Sequence, residues 1–154
     1  MNYNKQLPYK FILKMSIFAF IVNTIFTSVI FKFTNTNIVT AYYSVKSSII
    51  ITAIFALIIS PLVETLLFQT FVLTLLNRDW IKLNAKYRIL ISALLFSSAH
   101  IVYNTLYALG AFLSGVIFAY SYLTLDSRND NPILNTALIH SCHNALALFI
   151  NSVK

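Results

Sequence analysis

Glu64 is the only glutamate in this chain, and it stands inside a long hydrophobic stretch running from Ser48 to Leu76. All three histidines, His100, His140 and His143, also fall within apolar runs, and Asn144 directly follows the last of them. A carboxylate and an imidazole around a water molecule make a general base, and an amide with a second imidazole can donate hydrogen bonds to a developing oxyanion. Those are the parts of a hydrolytic site. The plainer alternative is that each polar side chain merely bonds two helices together. Four such groups in one chain weigh against it, because an ionisable residue at membrane depth costs roughly 2.5–3.5 kcal/mol on insertion scales.

Local spacing favours a shared site. His140 and Asn144 are four residues apart and so project from one helix face, as do Phe96 and His100. His143 lies three residues after His140, shares part of that face, and is a candidate substitute for it. Cys142 beside His143 makes no thiol dyad, since adjacent helical residues point about 100° apart, and a single cysteine forms no intramolecular disulfide.

The elements that must position these groups follow from composition. The chain of 154 residues is 58% hydrophobic and only 10% charged, against about 25% charged in a soluble domain. Apolar runs of about 18 residues or more read as membrane spans. Five runs occur, at 11–33, 48–76, 89–102, 106–125 and 133–153. The expected fold is an all-α polytopic membrane helix bundle of about five transmembrane helices, forming a single membrane domain over 1–154. The first run is too long for a signal-peptide core and no small-residue cleavage site follows it, so it reads as an uncleaved span. The second would extend about 43 Å as a helix, more than the bilayer core, and Pro61 predicts a kink because it cannot donate to the carbonyl of Leu57. A basic loop is expected over Asn77 to Arg88, a break at Tyr103-Asn104, and a polar turn from Asp126 to Pro132. Thr34-Asn-Thr-Asn37 opposes a sixth helix in 34–47.

The formal net charge of +7 lies between the apolar runs, a distribution that speaks for a lipid bilayer and against nucleic acid as the partner. With the N-terminus inside, the inner segments hold Lys5, Lys10, Lys14, Arg78, Lys82, Lys86, Arg88 and Arg128, whereas the outer ones hold Lys32, Lys46 and Lys154. Lys and Arg concentrate on the cytoplasmic side, so a cytoplasmic N-terminus is expected in a multi-pass cell-membrane protein. Asn-, Ile- and Lys-rich usage is that of a low-GC genome and suggests a bacterial source. On this topology Glu64, His100, His140 and Asn144 all fall about 12–18 Å from the cytoplasmic edge.

Three segments carry a family resemblance. Ser60-Pro-Leu-Val-Glu64-Thr-Leu-Leu-Phe-Gln69 is similar to the segment APxxEExxFRG, Leu94-Leu-Phe96-Ser-Ser-Ala-His100 to FxxxH, and Leu138-Ile-His140-Ser-Cys-His-Asn144 to HxxxN. In this order they resemble the CPBP/Abi family of CAAX proteases and bacteriocin-processing or self-immunity proteins, over a core of residues 58–151. The resemblance implies an intramembrane endopeptidase acting on a peptide or protein substrate at the membrane. It implies that Glu64 with His100 activates the attacking water, and that His140 and Asn144 hold the oxyanion. Thr65, Gln69, Phe96 and His143 are supporting candidates. A metal is not assigned, although Glu64, His100 and His140 would be the ligands if Zn²⁺ were bound. Thr65 and Gln69 stand where the family has a glutamate and an arginine; a Thr65–Gln69 hydrogen bond is expected to take the place of that ion pair.

Two other readings compete. The same cluster could belong to a catalytically degenerate immunity or partner-binding protein, or to a small proton-coupled transporter, for which the chain lacks the usual internal repeat. Leu113-Ser114-Gly115 lacks the preceding glycine of a rhomboid serine motif. Gly110 with Ser114, and Ala111 with Gly115, read instead as close helix packing.

Overall fold

The computed structural model of the chain describes residues 8–34 and 49–152. The readings made on 35–47, and on Lys5, Lys46 and Lys154, lie outside the described residues. The described elements are helices: α1 (Pro8–Thr34), α2 (Ile50–Leu75), α3 (Ala85–Ala99), α4 (Thr105–Ser127) and α5 (Pro132–Ser152). No strand occurs among the described residues, and α1, α2, α4 and α5 are each long and apolar enough to cross a membrane. The molecule is a helical membrane bundle. α4 is its central helix, with 61% of its most apolar window buried against 17–22% in the other three. On α1, Leu13, Ile17, Ile21 and Ile25 recur every four residues and are exposed, which in a bilayer is the lipid-facing stripe.

α3 differs from its expected span of 89–102. It starts at Ala85, which takes Lys86 and Arg88 out of the expected loop and onto the helix. It stops at Ala99, so its 15 residues extend about 22 Å, short of a full crossing. Asn104 sets the boundary: its side-chain oxygen accepts the Leu106 N–H at 2.7 Å and caps α4. Gly115 lets α3 and α4 approach closely, since a Cβ there would lie 3.0 Å from the Phe96 ring and 3.1 Å from the Ala93 backbone. Gly115→Ala is therefore expected to cost about 1–3 kcal/mol by overpacking, checked as a lowered Tm in detergent.

Where a kink was expected, Pro61 is flanked by two π-helical stretches, Phe55–Ile59 and Thr65–Phe71. Helix α5 satisfies the carbonyls this leaves open. Ser141 Oγ donates to the Leu57 carbonyl at 2.7 Å, and Asn144 Nδ2 donates to the Ala56 carbonyl at 2.8 Å. The proline thus dictates which polar side chains α5 must carry. Removing the hydroxyl in Ser141→Ala leaves the partly buried Leu57 carbonyl short of its donor, and a loss of about 1 kcal/mol is expected in thermal unfolding.

Candidate active site

All five helices contribute to one cavity of about 330 Å³, and Glu64, Phe96, His100, His140, His143 and Asn144 all line it. α2 brings Glu64 to it from mid-helix, α5 brings His140, His143 and Asn144 from one face, and α3 brings His100. His100, expected inside a run of 89–102, is the residue that caps the C-terminal end of α3 at Ala99. From the start of their own helices, His140 is about 12 Å along α5 and His100 about 22 Å along α3.

Glu64 and His140 form the centre. His140 Nε2 lies 3.7 Å from Glu64 Oε2, within ion-pair reach. Side-chain exposure is 21% for Glu64 and 6% for His140, so the carboxylate is the more accessible of two groups that both line the cavity. Phe118 stacks on His140 with ring centroids 4.4 Å apart, and Phe96 meets it edge-on at 5.7 Å. Those two rings fix the plane of the imidazole.

The tautomer of His100 is set by the backbone. Its ring nitrogen Nδ1 lies 2.7 Å from the Phe96 carbonyl, which can only accept, so Nδ1 carries the proton and Nε2 keeps its lone pair. Phe96 packs against the same ring at 4.6 Å, as the four-residue spacing predicts. Tyr107 and Tyr103 flank the other side, with centroids 5.7 and 6.2 Å away. Asn144 has one amide N–H committed to the Ala56 carbonyl and a second one left for the cavity.

Thr65 and Gln69 do not make the expected hydrogen bond to each other. Both are fully buried, and neither Thr65 Oγ1 nor either side-chain polar atom of Gln69 has a partner among the described residues. The reason is local: both lie in the π-helical stretch, where the wider turn removes the α-helical relation between residues four apart.

Asn23 is a cavity residue that the sequence reading did not single out. Its Nδ2 donates to Ser114 Oγ and lies 3.5 Å from His143 Nε2, so an α1 amide anchors the third histidine. Ser114, read as packing, is the other end of that contact. Gly110 makes room for it, since a Cβ there would lie 3.0 Å from Asn23 Oδ1. The available signal was a single asparagine in the middle of the first apolar run.

Among the described residues no three His, Cys, Asp or Glu side chains are grouped as a metal ion would require. The Glu64, His100 and His140 set considered for Zn²⁺ is therefore not assembled as a ligand shell.

A family model described as type II CAAX prenyl endopeptidase Rce1-like matches residues 46–146. No curated protein and no solved structure shows a significant match to the chain.

Proposed function

Because the chain belongs to the type II CAAX prenyl endopeptidase Rce1-like family, within the CPBP/Abi proteins, we propose that it is an intramembrane endopeptidase that hydrolyses a peptide bond with a water activated by Glu64. The supporting observation is the Glu64–His140 pair, 3.7 Å apart, in a cavity that His100 and Asn144 also line. Water enters beside the carboxylate and attacks the peptide carbonyl carbon. Glu64 takes one proton from it, and His100, whose Nε2 keeps a lone pair, is assigned to share that proton. The carbonyl oxygen becomes an oxyanion, met by His140 Nε2–H and the free N–H of Asn144. The proton held by Glu64 passes to the departing nitrogen as the C–N bond breaks, leaving a carboxylic acid and an amine.

The finer setting belongs to the same proposal: a bacterial cell membrane, with peptide processing or bacteriocin self-immunity as the biological context. The purified chain in detergent is expected to cleave members of an apolar peptide library, with the rate retained after chelator treatment. Chelator-abolished cleavage would overturn the metal-free form of this mechanism. One observation favours a second reading. Thr65 and Gln69, standing where the family has its ion pair, are buried without partners, which fits a catalytically silent immunity or partner-binding protein. Absence of any cleavage by a folded sample would favour that reading.

A further inference from the structure

The cavity lies towards one end of the bundle. Its exposed lining residues are Thr24 and Ser28 on α1, Ala99 at the end of α3, Tyr103 in the α3–α4 turn and Ile150 near the end of α5. They form a rim at the end where α1 and α5 finish and α4 begins. Towards the other end the lining is Phe96, Phe118 and His140, only 2%, 1% and 5% exposed. Beneath them Phe11, Met15, Leu125 and Ile139 pack into the same core as Phe96 and Phe118. Among the described residues the site therefore has an open mouth and an apolar floor.

The described charges divide along the same axis. Arg78 and Lys82 occupy the α2–α3 connection, Lys86 and Arg88 the start of α3, Lys10 and Lys14 the start of α1, and Arg128 the α4–α5 turn. The Arg128 guanidinium lies 5.4 Å over the Phe11 ring, which places the α4–α5 turn and the start of α1 at one level on the floor side. Lys32 is the only lysine or arginine at the rim end among the described residues. Lys and Arg next to spans are retained on the cytoplasmic face.

We infer that the floor faces the cytoplasm and the mouth faces the opposite side, so the cavity receives an exported polypeptide from outside the cytoplasm. The hydrolysis of that polypeptide rests on the proposed function; the orientation rests on geometry and charge alone. Full-length chains with Cys142→Ala, carrying Ser28→Cys or Tyr103→Cys at the rim or Asp79→Cys in the basic loop, would be expressed in bacterial cells. A membrane-impermeant maleimide would then be applied before and after permeabilisation. At least one rim cysteine is expected to label in intact cells, and Asp79→Cys only after permeabilisation. Labelling of Asp79→Cys in intact cells, or of rim cysteines only after permeabilisation or not at all, overturns the orientation. A correct labelling pattern without any peptide cleavage leaves the orientation standing and removes only the catalytic reading.

Discussion

Glu64→Gln is expected to lower kcat/KM by roughly 10²–10⁴-fold, the range a positioned general base contributes. Glutamine keeps the volume and the hydrogen-bonding reach of the side chain but cannot take a proton from water. The fold should survive, because the Glu64 side chain is 21% exposed and, among the described residues, its polar contact is the approach to His140. Thermal unfolding of the variant in detergent should therefore superimpose on that of the parent, while single-turnover cleavage slows. An unchanged rate would take Glu64 out of the reaction and leave the silent-scaffold reading in possession of the site.

The second large effect is expected at His140. An alanine would leave a hole against Phe118, whose ring stacks on the imidazole at 4.4 Å, so stability and chemistry would change together. His140→Phe keeps a ring there and removes the N–H. Its expected loss is roughly 10²–10³-fold in kcat, the size found when one oxyanion donor is deleted. Glu64 and His140 act on one reacting centre, so the double variant should be little slower than the worse single one. Full multiplication of the two losses would mean that the residues work independently, contrary to their 3.7 Å approach.

The sequence made the convergence of Glu64, His100, His140 and Asn144 legible because each is a costly polar group in an apolar run. A residue type alone identifies such a site when the solvent around it is lipid. Asn23 carried the same signal more weakly, since one uncharged amide in a span is compatible with ordinary helix packing. Its contacts with Ser114 and His143 depend on how α1 leans across α4 and α5, which no local pattern encodes. The end of α3 was missed for a related reason. Hydropathy continues through Ile101 and Val102, whereas the helix stops where Asn104 caps the next one. Pro61 correctly marked trouble in α2. The form that trouble took was set by Ser141 and Asn144, more than 80 residues away, whose side chains satisfy the open carbonyls. Thr65 and Gln69 were placed by α-helical rules in a segment that does not obey them.

Hydrolysis by a Glu64-activated water, with no covalent enzyme intermediate, is checked by cleaving a peptide in ¹⁸O-labelled water and weighing products and protein by mass spectrometry. One ¹⁸O atom is expected in the new carboxyl group after a single turnover, with an unmodified protein mass in samples quenched throughout that turnover. A peptide adduct on the protein, or intact peptide after prolonged incubation with folded protein, would contradict it.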